Sequence, residues 1–182
     1  SPDYHLPTTA CTIQTRLGLS QKITAIDVNL GCSGFVTGLS LAKAVIVSGQ
    51  AHNVLLLTAE TYSKYMHERD KSNRTIFGDG AAATLVSTEG IARIGNFVIG
   101  TDGTGAENLI VKTGCARNPK PLNDLKFDDY DNPRSSDNLY MDGPAILNYS
   151  LESIPQLFKD VLDKNGEEKD GIDLHVYHQA NI

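Results

Sequence analysis

The spacing of apolar positions along the 182-residue chain predicts three helices. Apolar residues recur at helical intervals between Pro7 and Leu19, with a proline at an early position. A stretch that runs from Phe35 to Gly49 is apolar around most of its circumference, which is typical of a buried helix. The segment from Pro144 to Lys164 is amphipathic, and it is bounded by Asp142-Gly143 and Asn165-Gly166, which are common signals at helix ends.

Short β-branched runs between these helices predict strands. The first run extends from Ile23 to Asn29 and the second from Asn53 to Glu60, with the buried helix between them. This order predicts a strand–helix–strand unit of the parallel-sheet type, and therefore an α/β fold. A further strand is predicted in F-G-D-G-A-A-A-T-L-V-S-T at 77–88, and another begins at Ile172.

Three polar stretches are predicted to connect these elements. Residues 61–74 are rich in charge and are predicted to form a surface loop. Residues 91–113 alternate between strand-like runs and the turn T-D-G-T-G. Residues 115–138 combine prolines with many Asp and Asn residues, which predicts a long solvated excursion.

Composition narrows the class of protein. The formal net charge is −6, so the chain lacks the overall basic excess of a nucleic-acid-binding protein. Its aliphatic runs are too short to span a bilayer. Three cysteines without any CxxC pairing indicate a reducing cytoplasm. The sequence starts with Ser1-Pro2 rather than Met, so targeting of a longer parent protein stays open.

Cys32 is the main candidate for chemistry, because it lies at the turn between a predicted strand and the buried helix. Free N–H groups and the dipole at a helix N-terminus favour an anion, so a thiolate would be stabilised there. Gly31 and Gly34 leave room for a ligand, and the Cys32 N–H could donate to an oxyanion formed from an ester or thioester. The alternative is that Cys32 is simply a small buried apolar residue.

His178 is the natural partner for a nucleophile. It follows a predicted strand at the edge where α/β sheets collect catalytic groups, and side-chain amides come after it. The alternative is a surface or structural histidine. His175 and His178 would lie on opposite faces of a strand, so no metal site is predicted.

Three motifs together resemble a known family. D-V-N-L-G-C-S-G-F at 27–35, F-G-D-G-A at 77–81 and H-Q-A-N at 178–181 follow the order and spacing of the ketoacyl synthase III branch of the condensing enzymes. The resemblance implies a thiolase-like αβαβα layered fold in which residues 1–90 belong to the N-terminal half and carry the nucleophile. Residues 91–182 would then belong to the C-terminal half and carry the catalytic histidine.

Members of that family are about twice as long as this chain, so the resemblance implies an internal fragment of a duplicated fold, with part of both halves. A third catalytic residue, an asparagine, lies further downstream in the family. The 182-residue chain alone is therefore expected to have little or no condensing activity.

The resemblance also implies a reaction. Cys32 would take an acyl group from an acyl-coenzyme A primer. His178, with the downstream asparagine, would then promote decarboxylation of malonyl-acyl carrier protein, and the resulting carbanion would attack the acyl-cysteine to give a 3-oxoacyl thioester. The implied enzyme is a cytoplasmic homodimer with no metal, no resident cofactor, and neither a nucleic acid nor a membrane as partner.

Four further residues match substrate-binding positions of the family. Lys71 corresponds to a basic residue near the mouth of the coenzyme A site, Gly143 to a glycine beside the pantetheine tunnel and Asn181 to an asparagine that contacts pantetheine. Leu6 corresponds to a residue that crosses the dimer interface to the acyl pocket of the partner subunit. Two alternatives stay open: an acyltransferase on the same scaffold that does not decarboxylate, and a fragment without catalytic activity.

Overall fold

The structure, a computed structural model, describes residues 2–179, which form two compact units. The first unit contains the residues up to Glu60 together with Ala81–Gly90, and the second contains Thr61–Gly80 and the residues from Ile91 onwards. Asn181 lies outside the described residues. None of the described helices is long and apolar enough to cross a membrane.

The first unit begins with helix α1, Thr9–Arg16. It is shorter at both ends than the predicted segment from Pro7 to Leu19. Its N-terminal N–H groups are satisfied by a distant residue, because the Asp27 carboxylate accepts hydrogen bonds from Thr9 N at 2.7 Å and Ala10 N at 2.9 Å. A negative charge at this end of a helix is favourable, so Asp27 links α1 to the segment that leads to Cys32.

Helix α2, Gly34–Val47, packs on strand β1, Asn53–Thr61. The closest approach is at Gly38, which is buried: a Cβ built there would lie 2.7 Å from Leu56 Cδ1. Strand β2, Asp79–Ser87, pairs with β1. Thr88 N donates to His52 O at 3.1 Å, so the end of β2 lies beside the start of β1.

The second unit is built around helix α3, Gly143–Asn165. Asp142 caps its N-terminus by accepting a hydrogen bond from Ala145 N at 3.0 Å, and Pro144 occupies the first turn, where its missing N–H costs nothing. Gly166 ends the helix with φ of 67°, a left-handed conformation that glycine adopts without penalty. Both helix-end signals in the sequence are confirmed.

The second unit also contains two short antiparallel strand pairs. Strand β3, Leu109–Ile110, pairs with β6, Tyr140–Met141. Strands β4, Lys126–Phe127, and β5, Pro133–Arg134, form a second pair. A 3-10 helix spans Tyr62–Lys64, and another spans Lys169–Gly171.

Two predicted strands are wrong as hydrogen-bonded elements. Residues 23–29 and the segment from Ile172 to His178 contain no β-ladder, so the predicted strand–helix–strand unit is reduced to α2 and β1. A strand needs a neighbour for its backbone groups, and the described residues supply none to these two segments. Their apolar side chains are correspondingly exposed, as Ile26 and Val176 illustrate.

The polar connections are more ordered than predicted. In residues 61–74, expected to be a surface loop, Met66, Asp70 and Asn73 are buried. The excursion at 115–138 contains the β4–β5 pair, and Asp137 organises its start. The Asp137 carboxylate accepts from the backbone N–H groups of Leu122 and Asn123 at 2.8 Å each, and these bonds hold its pKa below the usual value.

Candidate functional site

Cys32 lies in the turn immediately before α2 and is exposed. Gly34 N donates to Gly31 O at 2.8 Å, which closes the turn around the cysteine. Ser33 occupies the N-cap position, and its side chain makes no capping hydrogen bond. A Cβ built at Gly34 would meet only Leu30 Cβ, at 3.6 Å, so the space on this side of the turn is open to a ligand. The structure therefore places Cys32 in the turn before the helix, as the sequence predicts, although no β-ladder precedes this turn among the described residues.

The electrostatics of Cys32 differ from the sequence expectation. The pKa of Cys32 is raised, chiefly by desolvation. Protein atoms cover part of this otherwise exposed residue, which disfavours the charged thiolate. The negative charge of Glu60 raises the pKa further, while the Cys32 backbone N–H acts in the opposite direction. The backbone therefore favours the thiolate, as the sequence predicts, but desolvation and Glu60 outweigh it, so that the net direction of the pKa shift is upward.

His178 is exposed and lies at the end of the segment that runs along α3. This segment and α3 line an open groove of about 560 Å³. The lining includes His178, Phe158, Leu162 and Tyr177. The neighbouring His175 packs its ring against Phe158, with centroids 5.1 Å apart, in an edge-to-face contact. His175 therefore has a packing role, and His178 is the histidine left at the edge of the groove.

The candidate residues fall in both units. Cys32 and Leu6 belong to the first unit, and both are exposed. His178, Lys71 and Gly143 belong to the second, where Lys71 is exposed and Gly143 is the first residue of α3. The pairing of Cys32 with His178 thus stays a prediction. Across residues 2–179 no cluster of three or more His, Cys, Asp or Glu side chains could hold a metal ion.

Sequence reasoning missed a buried polar pair on either side of Lys71. Asp70 and Asn73 are 5% and 2% exposed. The Asp70 carboxylate accepts from Asn73 N at 2.9 Å and from Asn73 Nδ2 at 2.7 Å. The D-x-x-N spacing is a local signal for such a turn, because an aspartate side chain readily accepts from backbone N–H groups two and three residues on. Nothing local in the sequence indicates that the pair is buried.

The chain is similar to proteins of one known family. The family model for 3-oxoacyl-[acyl-carrier-protein (ACP)] synthase III matches residues 26–103. A Campylobacter jejuni protein, provisionally named as 3-oxoacyl-[acyl-carrier-protein] synthase 3, is 37% identical over 183 residues, which cover 100% of this chain and 51% of that protein. A beta-ketoacyl-[acyl-carrier-protein] synthase III of Caldanaerobacter subterraneus is 32% identical, over 100% of this chain and 53% of that protein.

Solved structures show the same fold. A crystal structure of a 3-oxoacyl-(acyl-carrier-protein) synthase III is 52% identical and superposes with a TM-score of 0.94, covering 99% of this chain and 55% of that one. A 3-oxoacyl-(acyl-carrier protein) synthase from Burkholderia xenovorans is 35% identical with a TM-score of 0.82, over 100% of this chain and 51% of that one.

The similarity to these structures shows a thiolase-like α/β fold. Over its whole length the chain is similar to proteins named 3-oxoacyl-[acyl-carrier-protein] synthase 3 or beta-ketoacyl-[acyl-carrier-protein] synthase III, and the model of that family matches residues 26–103. It spans about half the length of these relatives, which are 51% to 55% covered by it.

Proposed function

We propose that the protein containing this chain is a condensing acyltransferase that joins an acyl-coenzyme A primer to malonyl-acyl carrier protein. The observation that carries the proposal is Cys32, an exposed thiol in the turn before α2, with open space beside Gly34. Relatives that cover the whole chain are named as enzymes that make 3-oxoacyl-[acyl-carrier-protein], or beta-ketoacyl-[acyl-carrier-protein]. The similarity to these relatives and the position of the thiol therefore support the same chemistry.

In the first half-reaction the Cys32 sulfur attacks the thioester carbonyl of the primer. The raised pKa of Cys32 means that the thiol proton must go to a base as the new C–S bond forms, and His178 is the proposed acceptor. The bond between the carbonyl carbon and the coenzyme A sulfur breaks, and the leaving thiolate takes up the proton. The product is an acyl thioester on Cys32.

In the second half-reaction malonyl-acyl carrier protein loses carbon dioxide. The electron pair of the broken C–C bond passes to the α-carbon, which attacks the acyl carbonyl and displaces the Cys32 thiolate. Negative charge develops on the carrier thioester oxygen, so a donor such as the His178 imidazole N–H is needed there, and loss of one such donor costs about a hundredfold or more in rate. No step needs a metal or a resident cofactor.

The remaining assignments belong to the same proposal. Lys71, Gly143 and Asn181 would contact the pantetheine arm or the coenzyme A moiety, and Leu6 would reach the acyl pocket of a partner subunit in a homodimer. The division of the family fold into halves that meet near residue 90 is also part of it. A cytoplasmic location fits the three free cysteines.

Intact mass spectrometry of the complete protein that contains this chain tests the proposal. After incubation with acetyl and longer acyl-coenzyme A donors, we expect one acyl adduct, which the Cys32→Ala variant loses and a Cys115→Ala control retains. Release of carbon dioxide from malonyl-acyl carrier protein then separates condensation from simple acyl transfer. A complete, folded protein that takes up no acyl group from any donor contradicts the proposal and favours a role without catalysis.

A further inference from the structure

The turn that carries Lys71 is built on two buried polar side chains. The Asp70 carboxylate accepts three hydrogen bonds, from Ser72 N at 3.0 Å, Asn73 N at 2.9 Å and Asn73 Nδ2 at 2.7 Å. Asp70 and Asn73 are almost completely buried, whereas Lys71 between them is exposed. The two buried residues therefore anchor the turn and leave Lys71 at its surface.

Asn73 also joins this turn to a segment that is distant in sequence. Asn73 Nδ2 donates to Leu139 O at 3.1 Å, across 66 residues, and Leu139 N donates to Tyr65 O at 2.8 Å. Asn138 Nδ2 donates to the same Tyr65 carbonyl at 3.3 Å. Leu139 directly precedes β6, which leads to Gly143 at the start of α3. These hydrogen bonds therefore connect the Lys71 turn to the segment that leads to Gly143, another proposed substrate-binding residue.

The Asn73 side chain acts in this turn through its Nδ2 donor and not through its Oδ1 acceptor. Its Nδ2 uses both hydrogens, on Asp70 and on Leu139, whereas its Oδ1 is buried without a hydrogen-bond partner among residues 2–179. A buried polar atom without a partner is uncommon and costs stability. The amide is held in this orientation because turning it would leave the Asp70 carboxylate and the Leu139 carbonyl facing an oxygen.

The charge of Lys71 is available to a ligand. Within residues 2–179 no carboxylate lies within ion-pairing distance of its ammonium, whereas the neighbouring Arg69 is bound to Asp131 at 2.7 Å. Coenzyme A carries three phosphate groups, which an ammonium recognises through charge-assisted hydrogen bonds. Such a contact depends on where the ammonium is held, because a lysine side chain is flexible.

We propose that Asn73 is a positioning residue of the acyl-donor site: through its hold on Asp70 and Leu139, it keeps Lys71 where the ammonium binds the phosphates of coenzyme A. The inference rests on the proposed function. It assigns Asn73 no contact with the substrate, so its effect passes through Lys71.

Two donors with the same acyl group test this inference on the complete protein. Acyl-coenzyme A carries the phosphates and acyl-pantetheine lacks them, and acylation of Cys32 is followed by intact mass. For Asn73→Ala we expect the KM for acyl-coenzyme A to rise by about tenfold, the size of one charge-assisted hydrogen bond, with kcat unchanged. The KM for acyl-pantetheine should change by less than about twofold, because the lost contact involves only phosphate.

One double variant and two further single variants complete the experiment. In the Lys71→Ala background, Asn73→Ala should raise the KM for acyl-coenzyme A no further, because both changes remove the same contact. Asn73→Ser keeps one donor and should restore part of the affinity, and it serves as the test if Asn73→Ala does not fold. Asn118→Ala is the control, since Asn118 also donates its Nδ2 to a carbonyl, that of Lys112 at 3.0 Å.

The outcomes separate the two proposals. Equal increases in KM for both donors, or effects of Asn73→Ala and Lys71→Ala that multiply, would overturn the positioning role while the acylated wild type upholds the proposed function. A folded wild type that neither donor acylates would remove the proposed function and, with it, this inference.

Discussion

Replacement of Gly38 by alanine tests the close packing of α2 against β1. The added Cβ would lie 2.7 Å from Leu56 Cδ1 and 3.2 Å from Leu56 Cδ2. Favourable contacts between carbon atoms start at about 3.5 Å, so the leucine would have to withdraw by roughly 0.8 Å. Overpacking of this kind costs about 1–3 kcal/mol, whereas Gly to Ala inside a helix contributes about 1 kcal/mol of stability. We expect the free energy of unfolding to fall by about 0–2 kcal/mol.

A double-mutant cycle with Leu56→Ala isolates the clash. With the leucine shortened, Gly38→Ala should become stabilising by about 1 kcal/mol, because only the gain in helix propensity is left. Urea denaturation of the complete protein, followed by far-UV circular dichroism, measures each corner of the cycle. Gly34→Ala is the matched control, since its Cβ would meet Leu30 Cβ at an ordinary 3.6 Å. If Gly38→Ala changes stability equally with and without Leu56, the packing argument is refuted.

Two further predictions concern α3 and the nucleophile. Asp142→Ala removes the N-cap hydrogen bond from Ala145 N and should lower the free energy of unfolding by about 1 kcal/mol. Asp142→Asn keeps an acceptor and should lower it by less. Equal melting temperatures for the two variants would contradict this prediction. Alkylation of Cys32 by iodoacetamide, with the other two cysteines changed to serine, should have a pH midpoint above the usual thiol value of about 8.5, because desolvation and Glu60 disfavour the thiolate. Glu60→Gln removes a negative charge and should move that midpoint to lower pH; an unchanged midpoint would show that Glu60 does not act on the thiol.

The long helices could be predicted from the sequence because their signals are local. The amphipathic segment from Pro144 to Lys164 is observed as Gly143–Asn165, and the capping residues Asp142 and Gly166 mark its ends. The apolar run predicts helix α2 in the same way, but the burial predicted for this helix is wrong, because Phe35, Val36 and Val47 are exposed. In both cases the backbone hydrogen bonds close within the segment itself, so nothing distant in the chain is needed.

The strands could be predicted only where a partner is present. Asn53–Thr61 and Asp79–Ser87 pair with each other and match their predicted positions. Residues 23–29 carry an equally strong β-branched pattern, yet they form no ladder within the part of the chain that the structure describes. A local sequence pattern indicates a tendency to be extended, but a strand is defined by hydrogen bonds to a neighbouring strand. The local pattern does not indicate whether that neighbour is present.

The candidate site was predictable in position and less so in chemistry. The glycines around Cys32 place it at the start of α2, as observed. The net direction of its pKa shift depends on desolvation and on Glu60, which lies 28 positions further along the chain, so it could not be predicted from the turn sequence alone. The burial of Asn73 depends on Leu139 in the same way.

The bond between Asn73 and Leu139 has a consequence for the evolution of the two segments that it joins. The amide meets the main-chain carbonyl of Leu139, which every amino acid possesses, and the Leu139 side chain is buried separately. Substitution of Leu139 can then be selected without a matching change at Asn73, because the carbonyl that accepts the bond is unchanged. Aligned sequences would retain an amide at one site and an apolar residue at the other, with no covariation to reveal that the two segments touch.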